Sequence, residues 1–299
     1  MGKEEGAFSR SRPGRVHQAG REARGPRPLG RPRRMQRPPS PCRFAGPLAL
    51  GLSLACSPER SVETLSPASG GAPSRAPGLL IFSKTAGYRH ASIGKGIAAV
   101  SALCEEGGIS VTATEHTDLF TDEALRSLAG VVFLSTTGDV LNDAEQAAFE
   151  RFIERGGAFI GIHAAADTEP DWPFYRSLLG AHFKSHPAIQ QAELRNEAQA
   201  SHPATRPLPK TWQRRDEWYD FDHSPRPIAN ILLTVDEDSY TGGTMGEDHP
   251  IAWTREIGSS RVFYTALGHT EESFEEPLFL EHLRGGIFWA LGLPESDTE

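Results

Sequence analysis

Residues 156–168 read GGAFIGIHAAADT. The run AFIGI has the composition of a buried strand, and the small residues after it read as a sharp turn into a short helix. In several α/β enzymes a nucleophilic Ser or Cys stands at such a turn. Here the residue is His163. An imidazole exchanges a proton near neutral pH or ligates a metal, but it is a poor covalent catalyst for acyl transfer.

Other polar side chains follow strand-like runs in the same way. LLIFSK (79–84) leads into TAGYRHAS, with Tyr88, Arg89 and His90. VVFLST (131–136) leads into Thr137 and Asp139, and AFIGI leads past His163 to Asp167 and Thr168. Further on, GAHFKSHP holds His182 and His186, and RRDEWYDFDHSP holds Asp216, Glu217, Trp218 and Tyr219. MGEDHP holds His249 and ALGHTEE holds His269. Most of the 11 histidines lie just past such a run. Singly, each is explained by a structural hydrogen bond, and the HP pairs by turn chemistry, since a residue before Pro leaves the helical region. DEWYDFD reads equally as an edge segment whose aromatic rings cover the core. Jointly, the set implies one cavity, if the runs are parallel strands with a common carboxyl edge.

The pattern of elements supports that condition. LLIFSK, VVFLST and AFIGI are apolar throughout, as strands buried on both faces are. ISVTATE (109–115) is a further strand. Between them, SIGKGIAAVSALCEEGG (92–108) and LNDAEQAAFERFIERGG (141–157) carry apolar residues at helical spacing, and TDEALRSL (121–128) is a short helix with Thr at its N-cap. The alternation predicts an α/β, doubly wound parallel sheet. After residue 170 the pattern changes. WPFYRSLLG (172–180) and PLFLEHLRGGIFWALG (277–292) read as helices. AIQQAELR, ILLTVDE, PIAWTREI and RVFYTALG (261–268) read as strands of an antiparallel C-terminal extension.

Charge separates the N-terminus from this body. Residues 1–56 carry 12 Lys/Arg against 3 Asp/Glu, whereas the 299-residue chain has a net charge of −8. Residues 1–34 are rich in Arg, Pro and Gly and lack the apolar content to order themselves. From Met35 the chain has a basic start, a short apolar run and SLAC ending at Cys56, the pattern of a signal peptide with a lipidation site. Met35 is thus the expected start, 35–56 the expected signal and Cys56 the expected lipidated residue. Residues 57–77 read as a flexible linker, 78–292 as the folded domain and 293–299 as a tail. The expected location is exported, anchored to a membrane through lipid or periplasmic. The acidic body argues against a nucleic-acid partner. No GxGxxG, GxxxxGK[ST], GxSxG, HExxH or CxxC pattern occurs in the sequence. Dinucleotide, nucleotide and serine-nucleophile chemistry are therefore unsupported.

The motifs GGAFIGIHAAADT, WPFYRSLLGAHFKSHP, DEWYDF, DHPIAWTRE, RVFYTALGH and GIFWALG, in this order, resemble the ThuA-like (trehalose utilisation) family. The resemblance implies a class I glutamine-amidotransferase-like, flavodoxin-like fold. In amidotransferases of that fold a Cys occupies the turn; His163 in its place implies that glutaminase activity is absent. The residues matching family motifs are His163, Asp167, His182, His186, Glu217, Tyr219, His249 and His269. The family's association with disaccharide and keto-sugar catabolism implies a small carbohydrate partner.

Three readings follow. In the first, an exported enzyme isomerises or cleaves a sugar derivative by proton transfer. His163 is the central acid/base, oriented by Asp167 or a backbone carbonyl, with Glu217 and His269 as further catalytic groups. Tyr88, Arg89, His90, His182, His186, Trp218, Tyr219 and His249 hold the sugar. In the second, the protein only binds carbohydrate. In the third, it is a hydrolase using a divalent metal on His163, His182 and His249. No other cofactor is expected.

Overall fold

The structure, a computed structural model, describes residues 78–294. The expected signal, its Cys56 and the linker lie outside the described residues. Three strands begin the chain's fold: β1 (Gly78–Phe82), β2 (Ser110–Thr114) and β3 (Leu128–Leu134), joined by helices α1 (Ile93–Glu106) and α2 (Asp122–Leu125). Helix α3 (Asp143–Glu154) then leads to β4 (Ala158–Ile162). Asn142 starts α3 with a full capping box: its side chain accepts from Ala144 N and Glu145 N, and the Glu145 carboxylate accepts from Asn142 N.

Past β4 come α4 (Pro173–Leu179), β5 (Phe183–Ser185), β6 (Gln190–Asn196), β7 (Thr211–Asp216), β8 (Asp220–Phe221) and β9 (Asn230–Val235). The hairpin β10 (Pro250–Ile257) and β11 (Ser260–Thr265) and the helix α5 (Pro277–Leu291) complete the fold. Among the described residues, nine strands form one sheet in the order β2-β1-β3-β4-β11-β10-β9-β6-β7, and β5 pairs with β8. The first five in that order run parallel. The rest continue antiparallel. This is the doubly wound α/β sheet with an antiparallel extension.

One strand departs from the expected arrangement. RVFYT lies parallel to β4, with Val262 opposite Phe159 and Thr265 opposite Ile162. Only its far edge is antiparallel, against β10. The reason is burial on both faces. Phe263 meets Gly286 of α5, so closely that a Cβ there would lie 2.3 Å from the ring, while Tyr264 packs on Trp253 on the opposite side. Helices cover both faces of the parallel strands in the same manner. Leu134 meets Gly96 of α1, and its neighbour Phe133 stacks with Phe149 of α3 and Tyr175 of α4. No helix among the described residues is long and apolar enough to cross a membrane.

The antiparallel half curls so that the end of β7 meets the loop after β11. The link is Asp216, fully buried. Its carboxylate accepts from Gly268 N at 2.9 Å, His269 N at 3.1 Å and Glu217 N at 3.0 Å. The Arg214 guanidinium lies 3.1 Å away and neutralises it. That guanidinium is itself stacked between Trp212 and Phe279, 4.9 Å from each ring.

Two outcomes follow from this core. Asp216→Ala strips three backbone N–H groups of their acceptor and leaves the charge of buried Arg214 with only the Glu276 carboxylate, 3.3 Å away, so it should cost about 3 kcal/mol in denaturant unfolding. His282 of α5 is buried, donates from Nδ1 to Ala204 O at 2.8 Å, and is pushed by that burial from 6.5 down to about 3. Protonation therefore favours the unfolded chain. Its contribution is fully present above pH 6.5 and is lost as pH falls toward about 3. Replacing it with Gln should flatten the acid loss of stability by up to about 1.4 kcal/mol per pH unit, measured by urea titrations across that window.

Candidate functional site

The carboxyl edge of the parallel strands is where the polar residues converge. Ile162 and Thr265 are partners in the parallel ladder, so the next residues, His163 and Ala266, lie side by side. His163 is fully buried and its backbone turns sharply at φ +52°. That value puts a non-glycine residue in the left-handed region, a strain that the surroundings must hold. The Tyr264 hydroxyl holds it by donating to His163 O at 2.9 Å. The ring is held by its Nδ1, 2.8 Å from Ala266 O. A carbonyl only accepts, so Nδ1 carries the hydrogen and Nε2 presents a lone pair.

Three groups from three other loops face that lone pair. His90, after β1, places Nε2 3.1 Å away. His269, after β11, places Nδ1 3.1 Å away. Glu217, after β7, places Oε2 3.6 Å from His163 Nε2 and 3.0 Å from His269 Nδ1. The other carboxylate oxygen of Glu217 lies 3.0 Å from His186 Nδ1. The loops are tied to one another. The Ser92 hydroxyl donates to Gly268 O at 3.0 Å and the Thr137 hydroxyl to Tyr88 O at 2.9 Å. Gly268 itself turns at φ +108°, which a side chain would oppose.

A cavity of about 420 Å³ opens above this cluster, lined by Tyr88, His90, Asp167, Phe183, His186, Glu217, Tyr219 and His269. One wall is aromatic: Tyr219 packs on His163 at 4.5 Å and on Phe183 at 4.3 Å between ring centres. Tyr88 is the exposed rim, 67% accessible, edge-on to His90. Burial, reinforced by the neighbouring imidazoles, lowers the pKa of His163 to about 3 and that of His90 to about 2. Both rings are therefore uncharged near neutrality. Burial raises the Asp167 carboxyl above its usual range.

Several expected members of the site stand elsewhere. Trp218 is buried in the core and donates its indole N–H to Gln190 O. Arg89 points outward to Glu115, 2.6 Å away. His182 contacts the Phe183 and Thr168 carbonyls with its two ring nitrogens. His249 lies 2.8 Å from Glu237 through Nδ1 and 2.8 Å from Tyr219 O through Nε2, so it braces Tyr219 from behind. The expected metal set of His163, His182 and His249 is thus not brought together; His90, His269 and Glu217 join His163 instead. Asp167 does not orient His163; the Ala266 carbonyl does. Burial also argues against His163 as a proton carrier near neutral pH. Sequence reasoning passed over Phe183, and it noted Asp216 beside Glu217 without its role as a brace.

Comparisons with known proteins agree with this architecture. No curated protein matches the sequence. A ThuA-like protein from Bacteroides uniformis superposes with a TM-score of 0.61 at 22% identity, over 74% of this chain and 94% of that one. One from Parabacteroides merdae gives 0.62 at 20% identity, over 75% and 93%. At such identities the likeness is one of fold. Residues 78–290 match the family model described as ThuA, trehalose utilisation. With that match over most of its length, the chain belongs to the ThuA trehalose-utilisation family, within the glutamine-amidotransferase-like superfamily.

Proposed function

We propose that the protein is an exported carbohydrate-acting enzyme that moves a proton beside a sugar carbonyl, leading to isomerisation or elimination-type cleavage. The family's link to trehalose utilisation supports the substrate class, and the sequence of 35–56 supports export. The observation that carries the reading is the composition of one cavity. Asp167, Glu217 and His186 line it together with the rings of Tyr88, Phe183 and Tyr219. Its volume lies within the range of small-ligand sites. Aromatic faces pack against the apolar face of a sugar ring, while carboxylates and imidazoles reach its hydroxyls.

Proton transfer falls to the groups that meet the cavity and solvent. Asp167 has a carboxyl made less acidic by burial, so it holds or takes a proton closer to neutrality than an exposed one does. Glu217 and His186 form a second pair, 3.0 Å apart, with His186 half-exposed at the mouth. His163 contributes the lone pair at the floor. Asp216 acts as a positioning residue, since it holds the backbone of both Glu217 and His269.

Turnover on a panel of keto-disaccharides tests this. Asp167→Asn should lower kcat by about 10²-fold or more with KM and melting temperature little changed. Tyr88→Ala should raise KM and leave kcat alone, as loss of uniform binding does. Saturable sugar binding by the wild-type chain with no turnover on the panel would sink the enzymatic reading in favour of a binding protein.

A further inference from the structure

His90 Nε2, His163 Nε2, His269 Nδ1 and Glu217 Oε2 lie within 4.8 Å of one another. Hydrogen bonds account for only two of the close contacts, His90 Nε2–H to His163 Nε2 and His269 Nδ1–H to Glu217, and leave the His163–His269 approach without one. The single lone pair of His163 Nε2 has two nitrogen neighbours at 3.1 Å. The hydrogen of His269 Nδ1 is claimed by Glu217 as well as by His163. If His90 Nε2–H donates to His163, the buried Nδ1 of His90 is left as a lone pair, and that atom has no hydrogen-bond partner. The opposite tautomer leaves the same Nδ1 as a buried, unused donor. Such an arrangement is costly for neutral imidazoles alone. A cation on His90 Nε2 would leave that Nδ1 unpartnered too; what a shared cation explains is the crowding of four donor atoms about one point.

We infer that His90, His163, His269 and Glu217 form a binding site for one first-row divalent cation, Zn²⁺ foremost. Bonds of about 2.0–2.2 Å to a common ion hold neighbouring ligand atoms roughly 2.9–3.5 Å apart. The separations of 3.0, 3.1 and 3.1 Å match that spacing, and the 3.6 Å from His163 Nε2 to Glu217 Oε2 lies just beyond it. Three imidazoles and one carboxylate are a donor set suited to zinc and iron rather than to magnesium or calcium. The outer contacts also fit. His163 donates its other N–H to Ala266 O, and the second oxygen of Glu217 faces His186, as supports of metal ligands do. His90, Glu217 and His269 line the cavity, so the ion's remaining positions face it. There it would polarise a carbonyl or hydroxyl oxygen. A second convergence, Asp220, Glu237 and His249, differs in that its carboxylates are already engaged: Asp220 accepts from Thr244 N and Ser185 Oγ, and Glu237 Oε1 from Met245 N.

The inference deepens the reading of this pocket and rests on that reading only for what the ion does; binding is measured without turnover. The full chain is stripped with EDTA, dialysed and titrated with Zn²⁺ by calorimetry, and Co²⁺ is added to a parallel sample for its visible spectrum. One equivalent of Zn²⁺ should bind, and Co²⁺ should give ligand-field bands that Zn²⁺ displaces. His90→Asn and His269→Gln should weaken Zn²⁺ by about 10–100-fold or more, while His223→Ala, on the exposed surface, should not. No binding, no cobalt bands in the wild-type chain, or equal affinity in the wild-type chain and both site variants would overturn the site. Zinc bound at one equivalent with no sugar turnover keeps the site and removes the enzymatic reading. Turnover unaffected by complete chelation keeps the enzymatic reading and removes the ion from its chemistry.

Discussion

The hydrogen bond from His163 Nδ1 to the Ala266 carbonyl, 2.8 Å long and wholly buried, decides what the cavity floor presents. It exists because β4 and β11 are parallel neighbours in a register that sets Ile162 against Thr265. A slip of one residue would turn every side chain of the strand to the other face. The bond selects one tautomer, and the tautomer selects which nitrogen meets His90, His269 and Glu217. Backbone pairing and imidazole chemistry are thus the same constraint seen at two scales.

Gathering three imidazoles and a carboxylate at so dry a place carries an electrostatic cost, visible in the lowered pKa values of His90 and His163. The fold meets it with a second polar layer. Asp216 takes the N–H groups of Gly268, His269 and Glu217, and Arg214 neutralises Asp216. Arg214 in turn rests between two aromatic rings. Each polar group near the floor is held by another that is better shielded, so side chains from four loops meet with little freedom. Tyr88 and His186, at the rim, are the members that remain open to water.

The parallel half of the fold was legible because a strand buried on both faces must be apolar throughout, and LLIF, VVFL and AFIGI are. The Thr121 cap of α2 was legible for a similarly local reason. β7 was not. Its residues alternate outward and inward, but the inward ones are Trp212, Arg214 and Asp216. Charged residues at core positions hide a strand from any reading of hydrophobicity. The direction of β11 was hidden too, since which neighbour a strand chooses is a tertiary matter. Of the candidate site, His163, His90, His269, Glu217, Asp167, His186, Tyr88 and Tyr219 do meet at the cavity or its floor. His182, His249, Trp218 and Arg89 carry the same sequence signal but serve the scaffold or the surface. A position just beyond a strand says that a side chain is near the edge. Whether it turns inward or into the cavity depends on loops such as Thr137–Tyr88 and Ser92–Gly268, which join residues far apart in sequence.

The left-handed backbone at residue 163 is fixed by its surroundings rather than by the imidazole it carries. Tyr264 grips the main-chain oxygen, and the helical turn that follows is packed with alanines. The elbow therefore behaves as a socket. Its angle and depth are properties of the scaffold, whereas its reactivity is a property of one interchangeable side chain. A protein built this way can move between covalent, acid–base and coordination chemistry by exchanging a single residue, without redrawing the chain around it.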